Sequence, residues 1–313
     1  MTTSVTNLSA PAAVPAPPGR AKRRNRRRLV QYSSMWPGLL VLAVFSLYPA
    51  IYSLVISLYR WNLQAPDERR FVGLENYQNL LTDGAFWHSV QVTLVFVAVS
   101  VTLEFLFAFG LGLIFFRGLP GEKVMRALIL MPMLCAPVVV GLLARFSLEP
   151  TFGIVNQISR ALGLGTHDFL GSTSLALPTL IMIDVWQWTP FLFLILLAAM
   201  QGVPEEVIEA SKIDGASWVQ IIWHHFLPLL QYPILVGLAL RVIDAFRVYD
   251  LVFMTTRGGP IDVTSTMSWQ IYDVGFRSFT VSYAAAFSWL LLILVMVAVS
   301  AMMRRIVANQ VGE

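Results

Sequence analysis

Six long apolar stretches constrain this chain more than any other feature. They run over residues 36–58, 88–116, 124–146, 174–200, 229–254 and 281–303. Each reaches the ~20 residues that a helix needs to cross a bilayer's hydrocarbon core. Lipid offers no hydrogen-bond partners, so such runs must satisfy their backbone internally, as helices. The first, Trp36 to Leu58, is 23 residues without a charge. Only 13% of all residues are charged, where a soluble domain carries about 25%. The chain therefore reads as an all-α integral membrane protein with six transmembrane helices. Its one cysteine, Cys135, lies inside an apolar run and can form no intrachain disulfide; it is expected to be an inert core thiol.

Basic residues orient the spans, because cytoplasmic loops carry the excess of Lys and Arg. With the N-terminus cytoplasmic, the inner segments hold seven basic residues between Arg20 and Arg28, then Arg117, Lys123, Arg126, Lys212, Arg304 and Arg305, thirteen in all. The outer segments hold Arg60, Arg69, Arg70, Arg145, Arg160, Arg257 and Arg277, which is seven. The bias predicts N-in, C-in. Four regions follow: a disordered basic tail over 1–30, a first span with an outer loop over 31–86, a membrane core over 87–303, and a cytoplasmic tail over 304–313. The tail's Ala, Pro, Ser and Thr cannot bury a core. Its cationic cluster suits anionic lipid headgroups rather than nucleic acid.

The longest polar interruption in the second half is Pro204 to Pro233. It predicts two helices around a corner. Pro204 suits a first helical position. Glu205 and Glu206 place negative charge in the first turn, where the helix dipole favours it. The helix is expected to run to about Ile213, with Asp214-Gly215 turning the chain through a positive φ at Gly215. Ser217 with Gln220 three residues on is a capping-box pattern, and Pro228 is expected to end the second helix.

Across that corner stand Glu209-Ala210-Ser211-Lys212-Ile213-Asp214-Gly215-Ala216, followed by Leu227-Pro228. This resembles the EAA signature of permease subunits of ATP-binding-cassette (ABC) importers, with Ser211 in place of the second alanine. Other stretches resemble sugar-importer permeases: Phe71-Val72-Gly73-Leu74-Glu75-Asn76-Tyr77, Leu130-Met131-Pro132 with Pro137-Val138, Trp188-Thr189-Pro190-Phe191 and Gly258-Gly259-Pro260. The resemblance covers about residues 35–303. It implies the type I importer fold, with Glu205, Glu206, Glu209, Ala210, Ser211, Asp214, Gly215 and Ala216 as a coupling helix against a partner ATPase. It also implies a second, similar permease subunit, two ATPases that carry the ATP and Mg, and an extracytoplasmic solute-binding (lipo)protein, all at the cell membrane. The chain itself is expected to bind no cofactor or metal and to catalyse nothing. It contains no phosphate-cradling Gly-x-x-x-x-Gly-Lys-Ser/Thr.

Charges within the spans are costly and commonly face a cavity or a partner. Glu104 lies in the second run and Asp184 in the fourth. The fifth holds Arg241, Asp244, Arg247 and Asp250 at steps of three. Two readings stand side by side: a polar wall along a translocation path, or an ion ladder that holds the fifth helix in place. The resemblance places a solute pocket around Asp184–Phe191 and Arg241–Val248. Asp184, Gln187, Trp188, Phe191, Arg241, Asp244 and Arg247 are its candidates. A carboxylate and an amide suit hydroxyls, and an indole suits a sugar face. Trp186, Trp188 and Trp269 serve equally as interface-belt aromatics. Adjacent His224 and His225 lack the i, i+4 spacing of helical metal ligands; His88 and His167 are given no role.

The resemblance implies uptake of a carbohydrate, with a disaccharide of the trehalose or maltose type as the first expectation. Val101-Thr102-Leu103-Glu104-Phe105 and the Arg241–Asp250 stretch look closest to that group. The alternatives are another solute within the family, glycerol 3-phosphate among them, or a proton-coupled secondary transporter using Asp184 and the fifth-run charges as a relay. The last leaves the cytoplasmic corner unexplained, and the chain has no evident internal repeat of the kind such transporters often carry.

Overall fold

The computed structural model describes residues 36–38, 40–116 and 118–311. The basic cluster and the expected tail over 1–30 lie outside them. Two compact units divide at Ser53/Leu54. The described part of the first is most of helix α1, Trp36–Ser57, which is long and apolar enough to cross a membrane. Its aromatics Tyr48 and Tyr52 stack at i, i+4, 6.1 Å between centroids.

The second unit opens with a hairpin, β1 (Tyr59–Asn62) and β2 (Ala65–Phe71), antiparallel with Tyr59 opposite Phe71. Sequence alone suggested only a loop here, and the two strands are an addition to the all-α reading. Helix α2 (Glu75–Thr82) follows. The Phe71–Tyr77 motif has a structural purpose. Gly73 takes φ +59°, and buried Asn76 donates its amide to the carbonyls of Ser57 and Tyr59, both at 2.7 Å. The Tyr77 hydroxyl meets Ser57 Oγ at 2.7 Å. Ser282 Oγ ties the hairpin to the start of the last long helix through the backbone of Trp61.

Helix α3 spans Gly84–Phe116, and helix α7 spans Ala176–Met200. They run parallel: Phe96, Val97 and Val101 pack with Leu180, Ile181 and Val185 at one end, and Ala108 and Phe115 pack with Leu192 to Met200 at the other. The chain between them must therefore return across the bundle. Helices α4 (Glu122–Leu134) and α5 (Pro137–Ser147) make that return, bent by 94°. The expected straight run over 124–146 is thus a broken span. The cause is local. Cys135 and Ala136 are extended, with ψ of 137° at both, because the residue before Pro137 is driven out of the α region and Pro137 opens a new helix. At the far end Gly141 lets α5 close on Met254; a Cβ there would lie 2.8 Å from Met254 Cβ. Helix α6 (Ile154–Ala161) leads on to α7.

After the corner helix α8 (Glu205–Ile213), helix α9 runs from Trp218 to Ala245. Pro228 does not end it. A π-turn over Ile222–Phe226 precedes the proline, with Leu227 N–H bonded to the Ile222 carbonyl. The wider turn shifts the register where the proline supplies no donor and its ring would otherwise meet the preceding turn. The fifth apolar run is also discontinuous. Helix α9 stops at Ala245, and a short α10 resumes at Asp250–Met254. Helix α11 (Met267–Tyr272) and the long α12 (Val281–Val311) complete the chain. Phe86 and Phe287 meet near the starts of α3 and α12, 5.1 Å between centroids. Helices α3, α7 and α12 thus run one way, while α4/α5 and α9 return. The hairpin and the 204–217 corner lie at opposite ends of this bundle.

The Gly-Gly-Pro stretch sits over α11. Gly258 has φ +85°, and a Cβ there would fall 2.5 Å from Trp269 Nε1. Trp269 is itself buried, so it is a packing residue rather than a belt aromatic. Gly258→Ala is expected to destabilise the fold by about 2–4 kcal/mol, from backbone strain and overpacking together. Thermal unfolding of the purified chain checks this; an unchanged midpoint contradicts it.

Candidate functional site: a buried ion cluster beside a polar cleft

The centre of the second unit is polar. Arg241 on α9 is 1% exposed and Glu104 on α3 is 0% exposed. Arg241 grips Glu104 with a two-pronged contact, Nε to Oε2 at 2.7 Å and Nη2 to Oε1 at 2.9 Å. Nη2 also donates to buried Asp184 on α7, and Nη1 donates to Asp244 Oδ2 at 3.2 Å. The Trp188 ring lies over the guanidinium, 5.3 Å from Cζ to the ring centroid. Three crossing helices are thus joined through one cation. Such a charge is tolerable away from water only where its donors are satisfied, and a planar fork on a carboxylate does this well.

Asp184, Gln187 and Trp188 share one face of α7 at i, i+3 and i+4. They open onto a cleft of about 70 Å³ that the end of α9 and the start of α10 complete, with Asp244, Arg247, Val248, Tyr249 and Asp250 in its wall and Pro137 at its edge. The break after Ala245 is what turns Arg247 into the cleft: Arg247 N–H bonds the Asp244 carbonyl and Val248 N–H the Ala245 carbonyl, i→i+3 contacts that tighten the last turn. Gln187 is buried and donates its amide to the Cys135 carbonyl at 3.2 Å, across the bend between α4 and α5.

Six of the seven candidate path residues, Asp184, Gln187, Trp188, Arg241, Asp244 and Arg247, therefore meet in one place. Phe191 stands apart. It packs against the apolar core nearer the corner, because the cleft runs from Trp188 toward α10 rather than down α7. The expected stripe along the fifth run is only half present. Arg241 pairs with Asp244, but among the described residues Arg247 and Asp250 form no ion pair. Glu104 joins the site although it was not among the expected path residues; its signal in the sequence is a carboxylate at mid-span with no basic partner on its own helix. Trp186 is exposed on the opposite side of α7.

The corner has the expected local chemistry. Pro204 is the residue before the first helical position rather than that position, and Glu205 opens α8. The helix closes in a Schellman arrangement: Gly215 N–H to the Lys212 carbonyl at 3.1 Å and Ala216 N–H to the Ser211 carbonyl at 2.9 Å, with Gly215 at φ +78°. Ser217 N–H donates to Gln220 Oε1 at 2.7 Å, and Ser217 Oγ accepts from Gln220 N–H. Ile208 and Ser211 face inward, whereas Glu206, Glu209, Ala210 and Asp214 face solvent. Ile213 is 85% exposed, with Val219 and Trp223 also bare. A rigid corner with an acidic edge and uncovered apolar side chains is a surface shaped for another protein. His224 Nδ1 lies 2.9 Å from the Gln220 carbonyl of its own helix.

Residues 104–308 match the model of the binding-protein-dependent transport system inner membrane component. The chain belongs to that family. The permease is 35% identical over 258 residues, 82% of its length and 87% of the relative's, to the trehalose/maltose transport system permease protein MalF of Thermococcus litoralis. It is 30% identical over 271 residues, 84% of its length and 89% of the relative's, to the sn-glycerol-3-phosphate transport system permease protein UgpA of Yersinia pestis. Its fold is that of a bacterial alginate ABC transporter solved in complex with an alginate pentasaccharide-bound periplasmic protein, with TM-score 0.78, 21% identity, and coverage of 91% of this permease and 96% of that chain. The type I importer fold expected from the corner motif is therefore the fold of this chain, and the chain is a non-catalytic membrane subunit of an ABC transporter, as expected.

Proposed function

We propose that this permease carries a carbohydrate, of disaccharide size such as trehalose or maltose, through the cleft between α7 and the α9–α10 break. The observation that carries this reading is the cleft itself. It combines a buried amide, an indole and carboxylates at the centre of the crossing helices, and α7 and α9 connect it directly to the corner. An extracytoplasmic binding protein hands over the solute. A second permease completes the path, and two ATPases with bound ATP and Mg close beneath it. Glu205, Glu206, Glu209 and Asp214, with Gly215 at the turn, couple that closure to the bundle by moving α8 as a rigid body. Relatives named for trehalose/maltose and for sn-glycerol 3-phosphate leave two solute classes in view.

The test is uptake normalised to assembled complex for Asp244→Asn, with solute concentration varied. Asp244 has a side chain 48% exposed to the cleft and a single 3.2 Å contact with Arg241. Assembly is expected to survive, and the apparent affinity to fall severalfold. An unchanged concentration dependence removes Asp244 from the path.

Orientation in the cell membrane follows from the thirteen-to-seven basic bias. A reporter fused after Arg305 is expected to be cytoplasmic, and one placed near Asp67 external. Labelling of a Lys212→Cys variant by an impermeant reagent in intact cells contradicts this arrangement.

A further inference from the structure

We infer that the cleft sorts solutes by charge, admitting neutral and cationic polyols and repelling anionic ones. The inference rests on the solute-path reading above and narrows its substrate class.

Arg241 has little left to offer a solute. A guanidinium carries five N–H donors. Here Nε and Nη2 serve Glu104, Nη2 also serves Asp184, and Nη1 serves Asp244. Trp188 covers the guanidinium face. One N–H on Nη1 is not committed, so Arg241 cannot present the two-donor fork that captures a phosphate or carboxylate. The most buried cation of the site is spent on the protein's own carboxylates.

The remaining wall is poor in positive charge. The carboxylates Glu104, Asp184, Asp244 and Asp250 stand at or behind this wall against two cations, Arg241 and Arg247. Four carboxylates against two guanidinium groups leave the set with a surplus of negative charge. A cleft with low-dielectric walls focuses such a surplus.

Hydrogen-bonding capacity points the same way. Gln187 is 2% exposed and lines the cleft. Its amide nitrogen is held by the Cys135 carbonyl, while its Oε1 has no donor among the described residues. With the Asp244 and Asp250 carboxylates, that oxygen makes a wall of acceptors. Sugar hydroxyls and ammonium groups donate to such a wall. A phosphate or carboxylate cannot, and would find only Arg247 to pair with while these acceptors stay unpaired and repel it.

The experiment reads the local potential directly, without transport or a binding protein. In the full-length permease carrying Cys135→Ala, Val248→Cys places a single thiol on the cleft wall. Modification rates are measured with cationic, neutral and anionic methanethiosulfonates of similar size. The ratio of cationic to anionic rates is divided by the same ratio for a free small thiol. We expect this quotient to be about fivefold or more, as one or two surplus charges at short range produce in a partly screened site. Asp250→Asn should lower it, and Arg247→Gln should raise it. A quotient at or below one, or one that neither variant moves, overturns the inference. A thiol that reacts with none of the three reagents shows a cleft closed to solute and removes the solute-path reading together with the inference. Charge preference without any effect of Asp244→Asn on uptake would leave the potential standing and remove the transport role of Asp244 alone.

Discussion

Replacing Arg241 with methionine is expected to deplete the folded, assembled permease more than any other single change. The substitution keeps much of the side chain's length and removes its charge. Glu104 and Asp184 then lie buried together with no cation between them. Removing one partner of a buried ion cluster typically costs about 3–5 kcal/mol, because the uncompensated charge stays behind. That is a large share of the 5–15 kcal/mol that holds a typical domain together. The cluster also joins α3, α7 and α9, so the loss falls on three crossing helices at once. The measurements are the yield of complex after solubilisation and its thermal midpoint. A wild-type yield and midpoint would show that the cluster contributes nothing to stability. A companion variant separates charge from shape. Glu104→Gln, Asp184→Asn and Arg241→Met together leave no buried ion, and should recover much of the lost yield. Transport by that triple variant, if it assembles, then reports on the cluster's part in the solute path independently of folding.

Gly215→Val is expected to leave the crossing helices intact and to reduce transport at least tenfold. Gly215 sits at φ +78° with nothing within 4 Å of the position its Cβ would take. The defect is therefore conformational rather than a clash. A β-branched residue in the left-handed region costs about 1–3 kcal/mol, and the corner relieves that strain by opening the turn between α8 and α9. Opening it breaks the bonds from Gly215 and Ala216 to the Lys212 and Ser211 carbonyls and re-aims the acidic edge with Ile213. Asn tolerates the left-handed region far better, so Gly215→Asn should retain most activity. Uptake and solute-stimulated ATP hydrolysis, both per assembled complex, are the readouts. Near-normal values for both in the valine variant would remove the coupling role from this corner.

Features that depend on neighbouring residues alone were legible in the sequence. The apolar runs become helices because lipid leaves the backbone no other partner. Asp214-Gly215 and Ser217-Gln220 built the corner because a C-terminal glycine and a capping box are local hydrogen-bonding solutions. The third run, over 124–146, read as one span and gave no sign of its bend of 94°; that angle is set by where α5 finds Gly141 and Met254 to pack against. Pro228 read as a stop, and only the π-turn ahead of it lets α9 continue.

What tertiary structure decided is the pairing of charge. Along the sequence, Arg241 has one candidate partner three residues away, Asp244. In the fold its strongest contacts are to Glu104, 137 residues distant, and Asp184, 57 residues distant. The reason is desolvation. A half-exposed carboxylate such as Asp244 shares its charge with water and competes weakly for the cation. Fully buried carboxylates have no other counter-charge and hold the arginine on their own terms. Spacing within one helix cannot reveal which helices will bury their charges against each other, and so Glu104 entered the site only when α3, α7 and α9 were seen together.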